Sequence, residues 1–418
     1  MPAIQRGGEV NVKVCSALVA IVLLGTAQPA LPDVITDWNE KAVAFVQPLM
    51  TPPQGHRAMA MVNLAMFEAV NSVDHRYQPY LAQMNAEHGI LKDAAAAVAA
   101  ASVLIGLLPR AQDDVKIALV DYLAGVQNGT SMTKSIELGQ AVAAAILAAR
   151  AKDGSDAPDA YRPQTTPGVY VPTAPTLAPM WPDVRPFAIV SAEQFRPQPP
   201  PNLDSTQWMA DYNEIKRLGS RRSSTRSARQ TEDARFWLVT GPGAYFPIVV
   251  QLVAAKKMTE VDGARFAALA SVAMSDAILA VFDAKYHYEF WRPITAIRNG
   301  DILRNPATER DPVWQPIDAT PMHPEYPCAH CIVAASLAAV VDEVLGPDVP
   351  AISGTSPTAP GVTHRWADMH SFVTEVSEAR IWAGFHYRFS TWVGTEMGYR
   401  VGAYAVKNSL RPLPIATR

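Results

Sequence analysis

The sequence predicts an all-α protein, and three observations carry that prediction. Alanine-rich stretches such as Ala94–Ala101 favour helix over strand. Apolar residues recur at i, i+3, i+4 and i+7 through several segments on both sides of the chain's middle. The 35 prolines are unevenly spread: twelve fall between residues 153 and 203, a stretch that cannot sustain helix. With 49% hydrophobic and 18% charged residues over 418 positions, the chain can bury a large core.

Taken in order, Arg6 and Lys13 precede the uncharged apolar run Val14–Leu24, which ends in Gly25, Thr26, Ala27, Gln28, Pro29 and Ala30. That order is the signature of a secretory signal. The run, about eleven residues, falls short of the roughly 20 that span a bilayer. Residues 1–27 are therefore expected to be a signal peptide, and the mature protein to be exported, periplasmic or extracellular. Cleavage after Ala27 or Ala30 removes Cys15 and leaves only Cys328 and Cys331. No later apolar window is expected to span a membrane, because charges interrupt the helices that follow.

An N-terminal bundle is expected over 31–152, with helices at Trp38–Met50, Arg57–Val73, Leu91–Leu108, Ala111–Val126 and Ser131–Lys152. Residues 153–205 form a Pro-rich connection, either an ordered wrap or a linker. A C-terminal bundle follows over 206–418. Its helices start at Thr206, run from Gln230 through Leu238, and recur at about 246–256, 259–284, 330–345, 366–383 and 391–409. Asn128-Gly-Thr fits a glycosylation sequon, but its place between two helices suits a turn.

The formal net charge of -3, from 36 basic and 39 acidic residues, gives no global field to hold nucleic acid or an anionic membrane. The basic run Ser220–Arg229 has no interleaved aromatic residues for base stacking and suits a solvated loop. Any anion site must be local.

Three distant segments concentrate cationic and imidazole groups. In Lys285-Tyr-His-Tyr-Glu-Phe-Trp-Arg292-Pro293 the two cations are seven apart, which on one helix places them on nearly the same face, with Pro293 as the stop. Two such cations in an apolar segment want an anion if buried. His323-Pro-Glu-Tyr-Pro327-Cys328-Ala329-His330-Cys331 leads into an apolar helix whose N-terminus favours an oxyanion, with His330 in the first turn. In Arg380-Ile-Trp-Ala-Gly384-Phe-His386, Gly384 is expected to break the helix so that Arg380 and His386 converge; Ser390, four residues on, is placed to fix the imidazole's tautomer. Each segment alone also fits a bland role: a snorkelling pair, a capping histidine, a core histidine.

Together, Lys285-x6-Arg292-Pro293, Pro327-Cys-Ala-His330 and Arg380-x5-His386 resemble the three-part signature of the superfamily that unites vanadium-dependent haloperoxidases, bacterial class A acid phosphatases and type 2 phosphatidic acid phosphatases. The likeness to the haloperoxidase branch extends to Asp37-Trp38-Asn39, the helix around Asn63–Asn71, Gln230–Trp237 and Glu289–Pro293. It implies two packed helical bundles and a tetrahedral oxyanion held by Lys285, Arg292 and Arg380, with the Ala329 amide donating. It further implies His386 as the residue bonded through Nε2 to vanadium or phosphorus, and His330 as the acid/base. Vanadate is the implied cofactor, with phosphate as a competing ligand. Hydrogen peroxide and halide are the implied substrates. The alternative is a small phosphate ester, hydrolysed through a phosphohistidine in the same pocket.

The sequence departs from the resembled pattern at three places. Cys328 and Ala329 stand where the family usually has Ser and Gly, and a thiol is the poorer donor to an oxyanion. Ser390 stands where phosphatases tend to have Asp, which counts against efficient phosphoryl transfer. His323, seven before His330, falls where bromide-oxidising relatives tend to have His and chloride-oxidising ones Phe, so the lean is toward bromide. Length favours the peroxidase branch. Cys328-x-x-Cys331 also admits a dithiol oxidoreductase, against which the helical periodicity on both sides speaks, or a disulfide that locks the helix start; a single such pair offers too few ligands for zinc. A non-catalytic anion binder and a homo-oligomer are left open.

Overall fold

The described residues form thirteen α-helices, beginning with α1 (Val34–Val46), α2 (Pro52–Asp74), α3 (Lys92–Leu107), α4 (Gln112–Ala124) and α5 (Thr130–Arg150). After the Pro-rich stretch come α6 (Thr206–Leu218), α7 (Ala228–Phe236), α8 (Phe246–Ala255), α9 (Glu260–Tyr288) and α10 (Pro293–Arg298). The chain then runs through α11 (Ala329–Leu345), a hairpin of β1 (Ile352–Ser356) and β2 (Ala359–Trp366), α12 (Met369–Trp382) and α13 (Arg388–Asn408). This is a computed structural model that describes residues 33–414 except 82, 83, 85, 127–129 and 304. The expected signal segment, Cys15 and Asn128 of the sequon lie outside the described residues. Helix accounts for 59% of the described residues, so the all-α expectation holds apart from the hairpin.

Helix α9 is the axis. Its 29 residues are alanine-rich, free of proline, and capped by Thr259 at the start; every residue from Val261 to Lys285 except Asp262 and Arg265 is buried. It has the length and apolarity of a membrane-spanning helix, yet its apolar window lies wholly inside the protein. Helices α2 and α11 pack on it, and α13 packs on both α9 and α11. One hydrophobic cluster runs from Val34 to Leu410, so the core crosses the Pro-rich connection between the two expected bundles. Buried Asn39 and Asn63 exchange amide hydrogen bonds of 2.9 Å and tie α1 to α2.

The contact between α11 and α13 is backbone to backbone. Gly394, Gly398 and Gly402 form a stripe one turn apart, and a Cβ at Gly394 would stand 2.6 Å from the carbonyl oxygen of Cys328. At Gly398 and Gly402 it would run into the carbonyls of Ile332 and Ser336.

The Pro-rich stretch is an ordered wrap. Its amides at Phe187, Ala188 and Ile189 donate to the fully buried carboxylate of Asp276 on α9 at 2.8, 2.7 and 2.9 Å. Arg196 forks onto Asp283 one helical stretch further along, with two bonds of 2.7 Å. Trp181, Phe187 and Phe195 bury their rings in the main core. Charged side chains on α9 thus supply the hydrogen bonds that the proline-rich backbone cannot make to itself.

The hairpin was not expected. Its strands pair antiparallel, Ile352 opposite Trp366 and Thr355 opposite Thr363, and alternation turns His364 and Trp366 inward. The segment is short and rich in Gly, Ser, Thr and Pro, so no long apolar period marks it. Trp366, expected to open a helix, ends β2; Asp368 caps α12 instead, accepting from the Ser371 amide at 2.7 Å. In the basic run, Arg226 is no solvated charge: it donates to the carbonyls of Leu218, Ser220 and Trp382 at 2.6, 2.9 and 3.0 Å and staples the loop shut.

Candidate active site

Lys285 and Arg292 do not share a helix. α9 ends at Tyr288, and Glu289 turns left-handed with φ 48. Phe290 then pairs with Val169 of the wrap, and Arg292 becomes the cap before α10, with Pro293 at its first position. The spacing of seven overlooked that early stop; the two cations meet because the chain folds back.

Lys285, Arg292 and Arg380 are 0%, 1% and 2% exposed, and the carboxylate buried with them is Glu325. Burial lowers all three cations, with repulsion from Arg292 adding to it at Lys285 and Arg380: Lys285 well below the ordinary lysine value, Arg292 to about 10, and Arg380 to about 9. Lys285 donates to the carbonyls of Pro324 (3.0 Å), Glu325 (2.7 Å) and Pro327. Those bonds engage all three of its protons, so it clamps the 324–327 loop and acts on the pocket as a fixed charge. Arg292 donates to the carbonyls of His323 (2.8 Å) and Phe385 (3.0 Å) and meets His323 Nδ1 at 2.9 Å. Arg380 is the least committed. One terminal nitrogen reaches the Trp237 carbonyl at 2.5 Å, while its buried Nε has no partner.

His386 follows the break after α12, where Gly384 takes φ 82 and lies so close to Gly219 and Pro316 that no side chain fits. Its Nδ1 bonds to Glu325 Oε1 at 2.8 Å, which leaves the Nε2 lone pair free and faced by Arg292 at 3.4 Å. The expected partner, Ser390, is therefore corrected. Its hydroxyl lies by Glu325, where it favours the ionised form, and makes no regular hydrogen bond. Four residues along a continuous helix would bring Ser390 to the imidazole, but α13 starts only at Arg388. Glu325 is pushed up to about 7 by burial, against the pull of Lys285 and Arg292. Burial and the three cations hold His386 well below its ordinary value, hence neutral.

The N-terminus of α11 forms the opposite wall. Cys328 caps it and is bonded to Cys331 in a disulfide. Cys328 was expected among the oxyanion donors; as a disulfide sulfur it has no proton to give, and it accepts from the Cys331 amide at 3.2 Å instead. The same bond argues against the dithiol reading, since both sulfurs are fully buried. Ala329 is the first helical residue, so its amide belongs to the turn that has no acceptor within the helix. His330 Nε2 meets the Val239 carbonyl at 3.0 Å, and burial with nearby Arg380 keeps its pKa well below 6.5.

A cavity of about 450 Å³ opens onto this cluster. Ala329, His330, Arg380, His386 and His323 line its floor, while Lys285 and Arg292 lie behind the wall. Its upper walls are apolar, from Leu177 of the wrap, Leu238, Ile278, Phe282 and Met322. His323 packs its ring on Phe282 at 5.3 Å. His56 of α2 also lines the cavity, and burial lowers its pKa to about 3. Glu325 and His56 went unnoticed in the sequence: neither has a periodic or spacing signal, although a glutamate between two prolines in a histidine-bearing loop was in plain view.

Three buried cations facing one carboxylate leave positive charge uncompensated, and an unpartnered Arg380 Nε and open helix amides converge with it. Such a pocket fits a small polyvalent oxyanion.

Comparisons with known proteins agree. Residues 265–413 match the family model of the VCPO second helical-bundle domain, a span that contains every cation and imidazole of the cluster except His56. The vanadium chloroperoxidase of Curvularia inaequalis is 26% identical over 172 residues, 33% of this chain and 28% of that protein's length. A crystal structure described as the first bacterial vanadium-dependent iodoperoxidase superposes with a TM-score of 0.77 at 25% identity, covering 90% of this chain and 97% of the other. An apo-type bacterial vanadium-dependent chloroperoxidase gives 0.69 at 15% identity over 85% and 93%, which speaks to fold alone. Residues 265–413 thus carry the second helical-bundle domain of the vanadium chloroperoxidase kind, and the fold of the chain is that of the vanadium haloperoxidases.

Proposed function

We propose that the protein is a vanadate-dependent haloperoxidase that oxidises bromide or iodide with hydrogen peroxide. The carrying observation is the excess of buried positive charge around the free Nε2 of His386. Vanadate bound there supplies a Lewis-acidic centre that activates peroxide toward halide. Arg380, with donors to spare, and the Ala329 amide hold the anion; Arg292 and Lys285 neutralise its charge from behind. Glu325 keeps His386 in the tautomer that offers Nε2. His330, neutral by burial beside Arg380, takes a proton as peroxide enters and returns it later. His323 and the likeness to the bacterial iodoperoxidase support the more readily oxidised halides.

A second reading, a phosphomonoesterase with a phosphohistidine, gains from one observation. Ser390 counted against it as a neutral partner, but Glu325 supplies a carboxylate on Nδ1 after all. We also propose export, which the Cys328–Cys331 disulfide supports. The deciding experiment loads apo protein with vanadate and assays peroxide-dependent bromination of a phenol dye and oxidation of iodide, beside hydrolysis of an aryl phosphate. Halide oxidation lost in His386→Ala and His330→Ala supports the first reading. Ester hydrolysis inhibited by vanadate, without halide oxidation at any pH, establishes the second.

A further inference from the structure

We infer that Glu232, Asp233 and His364 form a second, separate site for a divalent transition-metal ion of the zinc class. Glu232 and Asp233 are neighbours on α7, and His364 reaches them from β2. The ligand atoms of the three lie within 4.8 Å of one another. His364 Nε2 stands 3.6 Å from Asp233 Oδ1 and 3.7 Å from Glu232 Oε1. Around a zinc ion with bonds of about 2.1 Å, tetrahedral ligands sit roughly 3.4 Å apart, so little movement is needed.

The independent pointer is the histidine itself. Its side chain is fully buried, its ring stacks on Phe236 at 3.9 Å and 6°, and its Nε2 has no hydrogen-bond partner. The other nitrogen, Nδ1, bonds to Glu375 Oε1 at 2.6 Å. A carboxylate on Nδ1 places the proton there and leaves Nε2 as a lone pair aimed at two carboxylates, the arrangement that orients a metal-bound imidazole. Glu375 is fixed in turn by the Trp237 indole at 3.0 Å. One nitrogen and two carboxylate oxygens, with a fourth position left for water, suit a zinc-like ion.

Arg229 is the competitor. Its guanidinium contacts Asp233 Oδ1 at 2.8 Å and Glu232 Oε1 at 3.2 Å, but its side chain is 59% exposed and free to turn into solvent. A bound ion would pin α7 against the hairpin, and α7 leads directly into Trp237 and Val239, whose carbonyls hold Arg380 and His330. The site would therefore brace one wall of the anion pocket.

The test uses full-length protein stripped with chelator, without vanadate. Zn2+ is titrated by calorimetry and Co2+ by its visible absorption. One ion per chain is expected, with a rise in melting temperature. Glu232→Gln, at a position 41% exposed and safe for folding, should weaken binding by about tenfold or more, the scale on which loss of even an outer-shell partner acts. Arg229→Ala should tighten it, and His386→Ala should leave it unchanged. No saturable binding in the wild type, or equal binding in wild type, Glu232→Gln and Asp233→Asn, overturns the proposal.

Discussion

Above neutral pH, where Glu325 is ionised, replacing it by glutamine removes a negative charge from beneath His386 and keeps the side chain's shape. Oε1 accepts from both His386 Nδ1 at 2.8 Å and the Tyr387 amide at 3.1 Å, and an amide oxygen can occupy the same place. A buried hydrogen bond to a charged group contributes about 1.5–3 kcal/mol and a neutral one about 1 kcal/mol. The substitution therefore costs roughly 0.5–2 kcal/mol in any state where His386 shares electron density through Nε2. At 1.4 kcal/mol per decade, that is about 2- to 30-fold. A second effect has the opposite sign: with one carboxylate fewer, the pocket attracts every anion more strongly. The two separate by comparing anions. Vanadate, bonded to Nε2 on the proposed reading, would feel both effects; sulfate, which forms no such bond, would feel only the field. The ratio of vanadate to sulfate dissociation constants, measured by equilibrium dialysis on apo protein, should rise about 2- to 30-fold in Glu325→Gln. An unchanged ratio in a variant that melts like the wild type would refute the role given to Glu325.

Three further outcomes follow from the fold. His56 is held at about 3 in the folded protein against an ordinary 6.5, so the unfolded chain takes the proton first. Stability is then full above pH 6.5 and declines as pH falls, by about 1.4 kcal/mol at pH 5.5 for this residue alone. In His56→Gln the difference in unfolding free energy between pH 7.5 and 5.5 should shrink by that amount, and an equal difference refutes it. Asp276→Ala strands three amides of the wrap, two of them buried, and should cost about 3–5 kcal/mol, with new proteolytic nicks between 153 and 205. Loss of less than about 1 kcal/mol in urea unfolding would show the wrap is held otherwise. Gly398→Val should cost about 2 kcal/mol or more, because its Cβ meets the Ile332 carbonyl. A variant as stable as the wild type would mean that α13 can retreat freely.

Most helices were legible because burial on one face repeats with the helical period. α9 was seen as 259–284 and runs to Tyr288; α11 was seen as 330–345 and starts one residue earlier. The ends were harder, since local backbone chemistry decides them: the left-handed turn at Glu289 displaced Arg292 from the helix, and Asp33 starts α1 before Trp38. Within the site, Lys285, Arg292, Arg380, His330, His386 and Ala329 do converge, as did His323. What stayed hidden is set by tertiary approach: Glu325 replacing Ser390 beneath His386, the oxidation of Cys328, and the carbonyls of Trp237 and Val239 that receive Arg380 and His330. No spacing within a segment encodes which distant loop arrives there.

The glycine stripe between α11 and α13 has a consequence for how this pocket can change. His330 opens one of those helices and His386 precedes the other by two residues, so main-chain contact makes the two imidazoles parts of one rigid block. Apart from Val333 of α11, the apolar walls come largely from elsewhere: the wrap at Leu177, Leu238, α9 at Ile278 and Phe282, and Met322 of the 318–322 loop. Those walls can be remodelled by substitution without altering the interval between the histidines. The lining of the cavity and the spacing of the two histidines are thus mechanically decoupled, and substitutions meant to reshape the cavity should leave residues 394, 398 and 402 alone.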